Sequence, residues 1–499
     1  MYDINSAHSI INFAKQLKTQ TLRQACGSEI EKHGYKGKGN FGQILEKFYF
    51  GYEPNSNAEP DFKEAGIELK SSPLKTLKNG EIRSKERLVL NIINYLKVHN
   101  EVFETSTFWK KNAHLLLVFY LHNKDLDLLD YLIKLVGDWE YPNEDLVIIK
   151  QDWEFINQKI KDGKAHELSE GDTFYLGACT KGSTALKSFR NQPFNDEQAK
   201  QRAYSLKQGY VNHIIANITQ EETAVYGKIL KKPEILDVVQ SIEEVVISKF
   251  QPFYGKSAEQ IEQGLGLKLN KKAKSYFANL TNAILGLGLG QKIEEFEKAD
   301  IQVKTIRLKE NNLPKEDVSF PTFEYKELIE TDWEDSDFKN ILESKFFFVF
   351  YQFEGEGLIL RKVNFWNMKH LDIPEAKKVW EKMVKTVSNG KIVKEVTDKG
   401  VRKTFFPKKT ENRISHVRPH AINSADTYEL PLADKLTGLT EYTKHCFWLN
   451  ASYIKDEIYE TNLSDLNSKF SYTPDSDDLN QEMLKAAESD PKEYNSLKD

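Results

Sequence analysis

No run of about 18 apolar residues occurs in this chain, and Met1-Tyr2-Asp3-Ile4 opens no signal peptide, so the expectation is a soluble, unexported protein. Cysteine is scarce. Cys26, Cys179 and Cys446 are odd in number, widely scattered and free of any Cys-x-x-Cys pair, which argues against both a disulfide framework and a zinc site. A reducing, cytoplasmic compartment is therefore expected. A P-loop is missing as well: Lys36-Gly37-Lys38-Gly39-Asn40 is basic and glycine-rich but lacks the Gly-Lys-Ser/Thr ending. It reads as a flexible, basic loop, and no nucleotide cofactor is expected. Nor is there a large excess of one charge. The net charge of -5 sits in residues 461–499, an acidic, probable-coil composition that holds Asp475, Asp477, Asp478 and Glu482. The rest of the chain is neutral, and a neutral body can still carry a basic cleft.

What the chain does have is the composition of a folded protein, 39% apolar and 12% aromatic over 499 residues, enough for two to four domains. It also repeats itself. Pro60-Asp61-Phe62-Lys63-Glu64-Ala65-Gly66-Ile67-Glu68-Leu69-Lys70 returns as Glu295-Phe296-Glu297-Lys298-Ala299-Asp300-Ile301-Gln302-Val303-Lys304. The apolar run Leu115–Tyr120, typical of a buried central strand, returns as Phe346–Tyr351. Trp153, Ile156 and Ile160 mark a helix ended by Asp162-Gly163. Trp380, Met383, Val384 and Val387 mark another ended by Asn389-Gly390. A weaker pair, Leu206–Tyr210 and Leu449–Tyr453, follows in the same order. Four ordered blocks at one offset imply that a whole domain was duplicated. The bridge between the copies is helix-prone at Glu221–Tyr226 and at Ile235–Phe250. The expected division is 1–220, a helical linker at 221–265, 266–460, and a disordered tail at 461–499. The fold expected is α/β (α+β), two tandem domains with a mixed central sheet flanked by helices.

The first copy carries chemistry. In a strand, Glu68 and Lys70 share one face while Ile67 and Leu69 point to the core. Gly66 permits a turn that lets Asp61 and Glu68 converge on one hard cation. Mg²⁺ prefers such oxygen ligands and leaves positions open for phosphate oxygens. Lys70 beside it can hold the attacking water and offset charge on the phosphorane. A solvated strand edge would explain the motif alone. The damaged copy favours a site, because it keeps the apolar frame while Glu68's counterpart has become Gln302. Upstream, Gly42-Gln43-Ile44-Leu45-Glu46 is helical, and Glu46's counterpart has become Asn282.

These blocks resemble the active-site segments of MutH, the GATC-directed nicking endonuclease of mismatch repair. The tandem arrangement is more similar still to the two-domain (type IIE) restriction endonucleases that cleave GATC and whose second half is a catalytically dead MutH-like module. The resemblance covers about residues 1–460. It implies Glu46, Asp61, Glu68 and Lys70 as the catalytic set, with Asp61 and Glu68 as metal ligands. A family lysine just before the buried strand falls on Lys111, with Lys110 as the alternative, and Leu342 stands in its place in the second copy. The family reads DNA with a loop resembling Ile-Arg-Pro-Lys-Ala. The second half keeps it as Val417-Arg418-Pro419-His420-Ala421, and the first departs from it as Ala178-Cys179-Thr180-Lys181-Gly182. Lys181 and Arg418 would donate to guanine. His420, with His416, would meet phosphate or base from a loop. Lys207 and Tyr210 are candidate phosphate contacts. The implied activity is Mg²⁺-dependent hydrolysis of duplex DNA 5′ of the G in GATC, with the second half binding another site as effector. A host DNA methyltransferase is expected, with no membrane and no obligatory protein partner. The competing readings are a DNA-binding protein without catalysis and a repair-dependent nickase.

Overall fold

Leu115–Tyr120 and Phe346–Tyr351 are apolar on both sides, and each run becomes a strand sandwiched between two packed layers. The protein is represented by a computed structural model that describes residues 2–32, 41–55, 57–181, 188–220, 226–230 and 241–461. The first half contains strands β1 (Glu68–Thr76), β2 (Ile82–Ser84), β3 (Leu88–Ile92), β4 (His114–Leu121), β5 (Ile133–Glu140), β6 (Leu176–Thr180) and β7 (Arg202–Leu206). The second contains β8 (Gln302–Leu308), β9 (Val318–Thr322), β10 (Phe346–Glu354), β11 (Gly357–Trp366), β12 (Ser415–Pro419) and β13 (His445–Leu449).

The two halves repeat one mixed α/β topology. β1 runs parallel to β4, which pairs antiparallel with β5, and β2 folds back on β1. In the second half β8 runs parallel to β10, which pairs antiparallel with β11. Each half adds a small antiparallel sheet, β3-β7-β6 and β9-β13-β12. The pairing registers match residue for residue: Glu68 faces Leu115 as Gln302 faces Phe346, so Lys111 and Leu342 are equivalent positions. Helices Asn143–Lys161 and Ile373–Ser388 cover the sheets with the expected Trp153, Ile156, Ile160 and Trp380, Met383, Val387 buried. Gly163 and Gly390, at φ +69° and +60°, end them where the helix-stop signals stood.

Alternation along the central strands divides the interior. Leu116 and Val118 pack with the N-terminal helices Ala7–Lys15 and Leu22–Lys32, while Phe346, Phe348 and Phe350 pack within the second half. Leu115, Leu117 and Phe119 share the largest core with Phe347, Val349 and Tyr351, so this core belongs to both halves. Between them lie the helices Ile242–Phe250 and Ala258–Gly264, each opened by a capping box, Ser241/Glu244 and Ser257/Gln260. Within the Glu221–Tyr226 stretch expected to be helical, Tyr226 is instead in a short strand that pairs parallel with Lys292. Glu221 to Val225, residues 231–240, the 36–40 loop and the tail beyond 461 lie outside the described residues.

The former site segment of the second half forms the joint with the first. Lys298 is buried and donates to Asp145 Oδ1 at 2.8 Å, with Glu294 at 2.9 Å, while Asp145 Oδ2 accepts from the Tyr210 hydroxyl at 3.0 Å. Asp300 stands where the first copy has Gly66 and adopts the same left-handed turn, at φ +54°. Its carboxylate accepts the Gly209 N–H at 2.9 Å, at the start of helix Gln208–Thr219. A Cβ on Gly209 would lie 1.9 Å from the Glu297 carbonyl oxygen, so this approach admits only glycine. Glu295, in Asp61's place, accepts the backbone N–H groups of Ile229 and Leu230.

Candidate active site and DNA-reading strands

Glu46 sits where the helix Phe41–Ile44 loosens into a π-turn, Leu45–Phe50, which Gly51 ends at φ +79°. Asp61 precedes a short 3₁₀ turn, Lys63–Ala65, and Gly66 at φ +69° then turns the chain into β1. Phe62 bridges back to Ile67 across that turn, which brings Asp61 beside Glu68. The Asp61 N–H donates to Glu68 Oε2 at 3.1 Å, and the Leu69 N–H donates to Asp61 Oδ2 at 3.0 Å. Lys70 Nζ lies 2.5 Å from Glu68 Oε1 and Lys111 Nζ 3.4 Å from the same oxygen. Lys111 also donates to the Asn57 and Glu59 carbonyls at 2.9 and 3.0 Å. Lys110, the alternative, is exposed.

Five separated residues thus meet at one place. Glu68 is only 1% exposed, and burial, opposed by Lys70, raises its pKa. Burial first, then the charge of Asp61, pushes Glu46 up to about 7. The donors are carboxylate oxygens without sulfur or imidazole, which suits a hard divalent cation. The two lysines supply positive charge to Glu68 in the free protein, and Asp61 Oδ1 has no donor among the described residues. The residues present therefore fit such an ion.

The Glu46 shift sets a pH dependence for the metal-free chain. A carboxyl raised from 4.5 in the unfolded chain to about 7 in the folded one contributes stability below about 4.5 that is lost as pH rises through about 7. Denaturation midpoints should fall between pH 5 and pH 8, and Glu46→Gln should flatten that fall. An identical slope in parent and variant would refute the assignment.

Among the described residues, one other group could be taken for a metal centre: His166, Glu167 and His370. Gln192 decides against it. Its Oε1 accepts from the Ala165 N–H at 2.7 Å, so its Nε2 faces His166 Nδ1, at 3.0 Å, as a donor. His166 then carries its hydrogen on Nε2, toward Glu197 Oε2 at 3.4 Å, and offers no lone pair to a cation.

The matching positions of the second half do not assemble such a cluster. Leu342 is fully buried where Lys111 would be, Asn282 donates to the Gln291 carbonyl, and Glu295 is spent on the linker backbone. Lys304, in Lys70's place, has no ion pair among the described residues, and burial lowers its pKa.

The two segments expected to read DNA are strand ends and not a simple loop. Arg418 and Pro419 end strand β12, and Ala178 to Thr180 belong to β6. Registers align Arg418 with Cys179 and His420 with Lys181. Arg418 lies over the Trp448 ring, its guanidinium carbon 3.7 Å from the centroid, with Asp317 Oδ2 at 3.6 Å. His420 is exposed and meets the same ring edge-on at 5.5 Å. Lys181 is exposed just beyond β6, and Gly182 lies outside the described residues.

Three expectations are corrected. Lys207 is buried, its Nζ on the Thr173 carbonyl at 2.5 Å, and burial followed by the charge of Lys345 lowers its pKa to about 8. Buried within the first half, it cannot serve as an exposed phosphate contact. Tyr210 is fully buried on Asp145. His416 is a buried strand residue whose Nδ1 lies 2.6 Å from Asn450 Oδ1, so it does not read DNA from a loop. Trp448, Asp317 and Tyr52 went unnoticed in the sequence; only the Phe447-Trp448 pair in an alternating strand hinted at an outward aromatic.

A family profile described as DNA mismatch repair enzyme MutH matches residues 50–152, a span that contains Asp61, Glu68, Lys70 and Lys111. The chain is 38% identical over 488 residues to the type II restriction enzyme Sau3AI of Staphylococcus aureus, covering 90% of this chain and 98% of that protein. It is 25% identical over 199 residues to the DNA mismatch repair protein MutH of Shewanella woodyi, covering 38% of this chain and 84% of that one. For MutH of Vibrio vulnificus strain YJ016 the figures are 26% over 184 residues, 36% and 79%.

Proposed function

The chain belongs to the family of the type II restriction enzyme Sau3AI, MutH-like site-specific endonucleases, and from that premise we propose that it cuts duplex DNA at GATC with Mg²⁺ held by Asp61 and Glu68. The single observation that carries this reading is the meeting of Asp61, Lys70 and Lys111 around one buried Glu68. When bound, Mg²⁺ would supply positive charge to the scissile phosphate and polarise the attacking water. Lys70 orients that water and offsets the charge that builds on the phosphorane. Glu46, near neutrality in its titration, can take up a proton at the reacting centre. Lys111 tethers the Asn57–Glu59 segment, so that Asp61 is held at the start of its turn. Glu46, Asp61, Glu68, Lys70 and Lys111 together make the catalytic set. Cleavage falls 5′ of the G, in the cytoplasm, alongside a protective methyltransferase.

The second half, from about residue 266 to 460, binds a second GATC duplex as effector. Arg418, braced on Trp448 and Asp317, keeps guanidinium N–H groups available for guanine O6 and N7, with His420 beside it. In the first half Lys181 occupies the corresponding end of its strand. Binding in the second half shifts the cleavage site toward its active arrangement by differential affinity for two conformations.

Plasmids with one or two GATC sites test both parts of this reading. With Mg²⁺, the full chain should linearise DNA without any added partner, and sequenced ends should begin 5′-GATC. The two-site plasmid should be cut faster per site, and Arg418→Ala should erase that advantage while leaving slow one-site cutting. Ends at other sequences would refute GATC, nicked circles alone would indicate a repair-type nickase, and equal per-site rates would remove the effector role.

A further inference from the structure

Tyr52 stands just beyond the π-turn that carries Glu46. Its backbone N–H donates to the Glu46 carbonyl at 3.2 Å, and its ring meets Phe62 edge-on, with centroids 5.5 Å apart. Phe62 is the residue next to Asp61, so the Tyr52 backbone and ring adjoin the two chain segments that carry Glu46 and Asp61. The phenolic oxygen is buried, and among the described residues it has no hydrogen-bond partner. The charges of Asp61, Glu46 and Glu68 all act on it and, after burial, drive its pKa upward. It therefore keeps its proton and can only donate or accept weakly, never serve as a base or an anionic ligand.

A buried donor without an acceptor is unfavourable, and native structures rarely leave one without reason. A hydrated divalent cation retains several waters and recruits phosphate oxygens, all of them acceptors. We propose that Tyr52 is a positioning residue that donates its hydroxyl hydrogen to an oxygen arriving with the cation at the Asp61/Glu68 site, and so tightens cation binding. The inference rests on the metal-site reading above. Partners one layer out from a cation commonly alter its affinity by about 10- to 100-fold.

Mn²⁺ titrated into the full chain, with the free ion followed by electron paramagnetic resonance, provides a readout independent of cleavage. Tyr52→Phe keeps the ring against Phe62 and removes only the hydroxyl. It should weaken Mn²⁺ about tenfold, while the metal-free unfolding midpoint stays level or rises, because an unsatisfied polar atom has gone. Unchanged Mn²⁺ affinity overturns the proposal. So does weaker binding with a lower metal-free midpoint, which marks a merely structural hydroxyl. Glu68→Gln separates the two readings. If it loses Mn²⁺ while Tyr52→Phe does not, only the role of Tyr52 fails. If Glu68→Gln binds Mn²⁺ like the parent, the site itself is wrong and the inference falls with it.

Discussion

Replacing Glu68 with Gln should reduce DNA cleavage by at least about a thousandfold, roughly 4 kcal/mol of transition-state stabilisation. DNA binding should stay within about tenfold. The amide oxygen can still accept the Asp61 N–H, so the turn that presents Asp61 survives. What disappears is the anion that faces both Lys70 and Lys111 and would hold the cation. The fold tolerates this exchange, since Gln302 occupies the same strand position in the second half. On the proposed reading of duplex DNA by the distant side chains Lys181 and Arg418, binding should persist. Asp61→Ala should behave likewise. Cleavage by either variant above a few per cent of the parent rate would show the site to be misplaced.

Lys298→Met should destabilise the chain by about 3–5 kcal/mol, the usual consequence of leaving a buried ionic partner alone. Lys298 is 3% exposed, its ammonium is shared by Asp145 and Glu294, and it also lies 5.7 Å from the Tyr175 ring centroid. Burial already raises the Asp145 pKa, opposed by Lys298 and the Tyr210 hydroxyl. Removing the lysine strands a carboxylate between the halves. A double-mutant cycle with Asp145→Asn, followed by denaturant midpoint at constant slope, isolates the pair. The double variant should be less destabilised than the sum of the single ones. Strict additivity would mean that the contact contributes nothing as a pair.

The site was legible where chemistry and periodicity coincide. Ile67-Glu68-Leu69-Lys70 alternates so regularly that its strand, its buried face and its charged face follow from the order of residues, and the observed pairing with Leu115–Leu117 agrees. Lys111 could be placed by counting back from an apolar run too continuous to be anything but a central strand. The mixed sheets and the duplicated topology were legible for the same reason. What stayed hidden depends on partners distant in sequence. Nothing near Lys207 announces that Thr173, Asp152, Asp300 and Lys345 gather around its ammonium. The exchange of acids for Gln302 and Asn282 was readable from the order of residues, but the contacts of Glu295 with the Ile229–Leu230 backbone and of Asp300 with the start of helix Gln208–Thr219 needed three dimensions. Tyr52 follows a glycine in a polar stretch and has no sequence pattern that would single it out.

Phe174 of the first half rests against Phe365 of the second, 5.9 Å between centroids, within the core that also gathers Leu115, Leu117 and Phe347. That interior cannot close until residue 365 has been synthesised. A nascent chain will therefore emerge from the ribosome with its first half complete in sequence but open along one apolar flank, which closes only after most of the second half has been translated.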